Sequence, residues 1–140
     1  MHVPYNTTSM SGFVRANSIQ TGRLYDTQMP VVKFQVVSGN QPHPVFVLEV
    51  KLAVEVYAWY ETMRKHNLDR VYVAVSASIV SNGEASILVA NHLDFHTSNP
   101  EARTEVEKCT KIMLSGKSSA AWPEHTIRMP VQTVMAGRGE

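Results

Sequence analysis

VFVLEVKLAVEVYAWYETMRKHNLDRVYVAVSASIVSNGEASILVANHLDF, residues 45–95, changes its hydrophobic period twice, and those changes decide the fold. Residues 45–52 read as a strand: Phe46, Leu48, Val50 and Leu52 point one way, Val45, Val47, Glu49 and Lys51 the other, and the charges mark the second set as the outer face. From Ala53 the spacing is that of a helix, with Val56, Tyr60 and Met63 on one stripe and Glu55, Glu61, Arg64 and Lys65 mostly off it. The basic run Arg64-Lys65-His66 suits the negative end of its dipole. Residues 70–81 and 84–95 then read as two strands joined at Asn82-Gly83, a pair that readily supplies the two positive φ values of a type I′ turn. Strand, helix and hairpin in this order build the second half of an OB-fold barrel, an architecture that mostly binds oligomeric ligands. Binding is therefore expected before chemistry.

The residues upstream supply the first half. Phe13–Leu24 reads as a long first strand, with Gly22 where a barrel strand bends or another backbone approaches. Asp26–Pro30 reads as a turn, and Val31–Val37 alternates cleanly, with Val32, Phe34 and Val36 on one face and Val31, Lys33, Gln35 and Val37 on the other. Gly39, Asn40, Pro42 and Pro44 predict a loop over Ser38–Pro44. The fold class is all-β with one or two helices: a five-stranded OB-fold Greek-key barrel with a helix between strands 3 and 4. Its expected bounds are an extension over residues 1–11, the barrel domain over 12–96 and a C-terminal helix and tail over 97–140. Asn99, Pro100 and Glu101 predict a helix start, Gly116 its end after Leu114, and 117–140 reads as extended or partly disordered.

Composition narrows the partners. A chain of 140 residues is long enough to bury a core without staples. Its single cysteine, Cys109, has no internal partner, and no Cys and His spacing suggests zinc, so a reducing, cytoplasmic setting is expected. Neither a signal peptide nor an apolar run of membrane-spanning length is read in it. The 13 basic and 12 acidic residues leave a net charge of +1, and the balance up to His96 is zero. Tight non-specific phosphate binding draws on excess Lys and Arg. Any affinity for nucleic acid must then come from local placement of charge and from stacking.

The chain resembles the bacterial single-stranded DNA-binding protein family over roughly Gly12 to Phe95. The resemblance is carried by Thr21-Gly22-Arg23-Leu24, Val32-Lys33-Phe34-Gln35-Val36, the run Val47 to Val56 with Lys51-Leu52-Ala53, Met63-Arg64-Lys65 and Arg70-Val71-Tyr72-Val73. Primosomal replication protein N is similar over the same region. The resemblance implies a non-catalytic protein of DNA replication, recombination or repair, nucleoid-associated, acting as a homodimer or homotetramer with replication proteins as further partners. The chain departs from the family where tryptophans usually stack on bases, offering only Phe34 and Phe46. It also ends in Ala136-Gly137-Arg138-Gly139-Glu140 instead of an acidic tail with an apolar tip.

Single-strand binding needs π-faces for bases and cations along the backbone track. The candidates are Arg15 and Arg23 on strand one, Lys33 and Lys51 on the outer parity of their strands, Tyr72 out of phase with Val71 and Val73, and Phe46, whose phase favours the core. The ligand is single-stranded DNA, with RNA as the variant. His92, Asp94 and His96 alternate on one strand and have metal-ligand chemistry, but no second cluster completes a site, and no metal or other cofactor is expected. Tyr57, Trp59 and Tyr60 crowd the helix, Tyr60 toward the barrel and Trp59 toward a subunit contact or solvent. Lys108 and Lys111 beside Cys109 would lower its thiol pKa, yet no histidine accompanies it, and no phosphate-cradling glycine loop or nucleophile elbow is present. A second reading is a protein-interaction or assembly module, motivated by the helix 100–114 and by Trp122, Ile127, Met129, Val131, Val134 and Met135 in the tail.

Overall fold

The computed structural model describes residues 7–81, 85–116 and 122–129. Runs of alternating β-branched residues form strands β1 (Thr7–Arg15), β2 (Gln20–Leu24), β3 (Pro30–Ser38), β4 (Gln41–Val47), β5 (Arg70–Ser81) and β6 (Ser86–His96), with a two-residue β7 (Thr126–Ile127). Helix α1 (Val50–Lys65) lies between β4 and β5, and α2 (Pro100–Leu114) follows β6. β1 pairs antiparallel with β5 from Thr7↔Ser78 to Arg15↔Arg70 and also touches β3 at Phe13↔Val37 and Val14↔Val36. A 3-10 turn at Ala16–Ser18 redirects the chain into β2, which continues along β3. β1 and β2 are thus one bent barrel strand. β3 pairs with β4, β4 runs parallel to β6 through Val45↔Leu88 and Phe46↔Val89, and β6 returns to β5. This circuit is the five-stranded Greek-key OB barrel, with α1 between its third and fourth strands. Gly12 sits at the seam, where a Cβ would run into the Val37 carbonyl, so glycine is what lets β1 reach both neighbours.

Val14, Val32, Phe34, Val36, Val45, Val47, Val73, Val75, Leu93 and Phe95 fill the barrel. Ala53, Val56, Trp59 and Met63 from α1 join this core. Trp59 is only 2% exposed, its ring 5.4 Å from that of Phe95, which corrects the expectation of a subunit contact or half exposure there. Asn99 caps α2 by accepting from the backbone N–H groups of Glu101 and Ala102, with Pro100 at the first position. Ala102 and Val106 are buried as α2 packs on α1. Glu105 ties the two helices, 2.9 Å from His66 Nε2 and 3.2 Å from Lys65 Nζ, and the His66 hydrogen bond foremost holds its carboxyl below the usual range. Among the described residues no helix is long and apolar enough to cross a membrane.

Four local expectations change. The first strand begins at Thr7, ahead of Phe13, because β5 offers partners as far as Ser78, and it breaks at Ala16–Ser18 where its partner changes from β5 to β3. The predicted loop Ser38–Pro44 is mostly β4, with only Gly39-Asn40 turning the hairpin and Gly39 at φ +62°. Pro42 and Pro44 are tolerated because their missing N–H groups fall on one side of β4, and on the far side from β3 that strand is paired, among the described residues, only at Val45 and Phe46. The strand from Val45 ends at Val47, since the Glu49 carboxylate accepts from the N–H groups of Lys51 and Leu52 and starts α1 at Val50. Its polarity is also reversed: Val45 and Val47 point into the barrel and Phe46 points out. The Asn82-Gly83 turn lies outside the described residues, as do 117–121 and 130–140 of the tail.

Candidate nucleic-acid interface

Strand alternation forces one residue in two to face away from the barrel, and register decides which of these meet. On β1 and β5 the outward pairs are Phe13↔Tyr72 and Arg15↔Arg70. The two rings meet edge to face at 6.1 Å and 74°. The Arg15 guanidinium lies 5.2 Å from the Phe13 centroid, and that of Arg70 lies 4.8 Å from Phe13 and 6.0 Å from Tyr72. Tyr72 is 53% exposed. Like charges directly opposite each other on paired strands repel. Among the described residues neither arginine has a carboxylate within ion-pair distance, so the two guanidinium groups face each other with no acid to balance them.

The same outer face continues onto β3. Ser18 Oγ donates to the Arg15 carbonyl at 2.9 Å and accepts from the Gln35 N–H at 3.3 Å, fixing the strand bend against exposed Gln35. Two residues back, Lys33 extends its Nζ to 5.4 Å from the ring of Phe46, its register partner. A cleft of about 310 Å³ opens beside them, lined by Lys33, His43, Pro44, Phe46, Ser86, Ile87 and Leu88.

Beyond Lys33 the exterior is covered by the protein's own chain. β7 adds a parallel strand to β2 through Arg23↔Thr126 and Leu24↔Ile127. The His125 carbonyl accepts from the N–H of Arg23 at 2.7 Å, that of Ile127 from Tyr25 at 3.1 Å, and Trp122 Nε1 donates to the Gly22 carbonyl at 2.6 Å. Gly22 is where the other backbone approaches, as its position in the sequence suggested: a Cβ there would meet the His125 carbonyl. Ile127 completes a second apolar cluster with Leu24, Val31, Phe46 and Ile87, with Met129 packed against it.

The six candidates therefore separate. Arg15 and Tyr72 come together, with Phe13 and Arg70, which sequence reasoning left among ordinary strand residues. The signal was the i, i+2 spacing Phe13/Arg15 and Arg70/Tyr72; what it lacked was the register joining them. Lys33 and Phe46 also meet, but Phe46 is 2% exposed, packed in the second apolar cluster, and offers no face to a base. Arg23 is turned to structural use, its Nη1 donating to the Gln28 carbonyl at 2.9 Å across the turn after β2. Lys51, exposed, lies in the first turn of α1 and not on a strand face, because Glu49 ends the strand before it. The metal candidates do not converge: His96 Nε2 reaches Asp94 Oδ2 at 3.3 Å, and no three suitable side chains form a group among the described residues. Burial raises the Glu55 carboxyl above its usual range, against the pull of His92. Cys109 is also shifted upward, by burial first and the Glu61 carboxylate second, contrary to the lowering expected from its lysine neighbours.

No family model and no curated protein matches the chain. Among solved structures, the mitochondrial single-stranded DNA-binding protein Rim1 of S. cerevisiae is similar at a TM-score of 0.50 and 10% identity, over 69% of this chain and all of that one. At that identity the likeness is one of fold. The S. pombe Stn1–Ten1 complex is similar at a TM-score of 0.40 and 11% identity, over 82% of this chain and 76% of that one, too distant to bear on function.

Proposed function

We propose that this protein is a non-catalytic binder of single-stranded DNA, acting in replication, recombination or repair, with the strand held on the outside of the barrel. The observation that carries the reading is the facing pair Arg15 and Arg70, unpaired to acids and flanking the rings of Phe13 and exposed Tyr72. A phosphate between the guanidinium groups removes their mutual repulsion, and the neighbouring base stacks on Tyr72; such stacking is worth about 1–3 kcal/mol per base. From there the strand passes Gln35 to Lys33 and the cleft beside His43 and Pro44. The track needs no net positive charge, since its cations are local. Its shared fold with a protein named for single-stranded DNA binding supports the same reading. Oligomers, as homodimers or homotetramers, would sum several such short tracks through effective concentration.

Anisotropy titration with labelled oligo-dT at low and moderate salt tests this. Saturable binding that weakens with salt is expected, and no binding at micromolar protein in low salt removes the reading. The assembly-module alternative keeps one specific support, exposed Ile112 and Leu114 at the end of α2. It loses another, because Trp122, Ile127 and Met129 pack on their own barrel.

A further inference from the structure

The outward row on β1 and β5 has a third member on β6. Tyr72 is the register partner of Phe13 on one side and of His96 on the other, so the three stand side by side on neighbouring strands. Opposed side chains on one face of an antiparallel pair have Cβ atoms about 4.5–5.5 Å apart, within reach of one bound group. The His96 side chain is 61% exposed, and its Nε2 lies 3.3 Å from Oδ2 of Asp94, two residues back on the same face. Among the described residues Asp94 is the one acid within ion-pair distance of it. The other charged or titratable groups at this end of the strands are Tyr72 and Arg70 of β5, Arg15 of β1 and His92 of β6. From the helices, Glu55 of α1 interacts electrostatically with His92, Asp94 and Arg103 of α2, and the Arg103 Nη2 donates to the Phe95 carbonyl at 2.9 Å.

We propose that His96 is a further phosphate contact of the single strand, made by its protonated imidazole at the β6 end of the track. β6, β5, β1 and β3 are successive neighbours in the barrel, so His96, Tyr72, Arg15 and Lys33 follow one another across it. The inference rests on the track reading above and lengthens the track by one strand, on the side away from Lys33. With Nε2 bonded to Asp94, a neutral ring has only a lone pair left at Nδ1, and the Asp94 charge repels a phosphate. A protonated ring keeps its bond to Asp94, balances that charge and offers the Nδ1 N–H to a phosphate oxygen. Histidine is the side chain that ordinarily changes charge between about pH 5 and 8. A bound phosphate favours the charged ring, so binding takes up a proton and tightens as pH falls.

The test uses the full chain and labelled oligo-dT, titrated at about pH 8 and about pH 6 at constant ionic strength. The wild type is expected to bind about fivefold more tightly at the lower pH, and His96→Gln, neutral at both, to lose most of that gain. His92→Gln is expected to keep it, since His92 stands opposite Ser76, two outward positions beyond Tyr72 on β5. At about pH 6 the slope of log K against log salt should be steeper in the wild type than in His96→Gln by about 0.7. A pH gain that survives in a His96→Gln protein of native circular dichroism, or that is missing from a binding-competent wild type, overturns the inference and leaves the Tyr72 track standing. Equal salt slopes in the two proteins at the lower pH overturn it as well. Should His96→Gln fail to fold, His96→Ala decides in its place. Absence of binding by every form at both pH values overturns the track itself and the inference with it.

Discussion

Two stretches of the barrel exterior share one construction and differ in what lies over them. At the β1/β5 end, an outward ring, Phe13, is flanked by cations and stays partly open beside an exposed tyrosine. At the β3/β4 end, an outward ring, Phe46, sits beside a cation and is buried in an apolar cluster with Leu24, Val31, Ile87 and Ile127. An outward position on a strand is thus not the same as an accessible one. Whether an outward ring stays open or is packed depends on residues far along the chain, Ile87 and Ile127 among them, which neither strand's own sequence describes.

The two glycines beneath these ends break the comparison most sharply. A Cβ at Gly12 meets the Val37 carbonyl at the barrel seam, and one at Gly22 meets the His125 carbonyl of the covering segment. Gly12→Val is expected to destabilise the whole domain by about 3 kcal/mol or more, within the range of overpacked core sites. Gly22→Val should disturb the segment alone and move the urea midpoint far less. Equal losses in the two denaturation curves would mean that the segment is as much a part of the barrel as the seam.

A smaller effect separates the rings. Tyr72→Ala should weaken oligo-dT binding by about 1–3 kcal/mol and leave stability nearly unchanged, the side chain being 53% exposed. Phe46→Ala in the otherwise wild-type chain should do the reverse: stability falls by about 3–5 kcal/mol, as for other buried phenylalanines, while DNA affinity stays within a factor of about two, since a side chain that is 2% exposed has no face to offer a base. Paired titrations and melts on the two variants read both quantities.

The barrel was legible in the sequence because its signals are local. Alternation in Val31–Val37 and Arg70–Val75, the switch to a helical period after Leu52 and the Asn99-Pro100 helix start each depend on residues within one or two turns of chain. The errors fall where a helix cap or a distant partner overrides them. Val45 and Val47 look outward only if Glu49 and Lys51 belong to the same strand, and Glu49 ends that strand by capping a helix instead. Pro42 and Pro44 look like breakers until the far side of β4 proves unpaired there. The candidate site was half legible for the same reason: Arg15 and Tyr72 were readable as outward residues, but the facing of Arg15 with Arg70 is a property of register between β1 and β5.

Ion by ion, the comparison predicts a graded salt dependence. Each phosphate contact on a single strand contributes about 0.7 to the slope of log K against log salt. Arg15→Ala, Arg70→Ala and Lys33→Ala should each flatten the slope by about that amount, because all three cations lie on the proposed track and none is ion-paired among the described residues. Arg23→Ala and Lys51→Ala should leave it unchanged: the Arg23 guanidinium is bonded to the Gln28 carbonyl, and Lys51 stands at the start of α1, away from the outward face of β3. A slope that responds to Lys51 or Arg23 as strongly as to Arg15 would shift the track to the helix and the β2 turn. In that case the strand would have to cross residues 122–129, and the distinction between an open and a closed end would disappear.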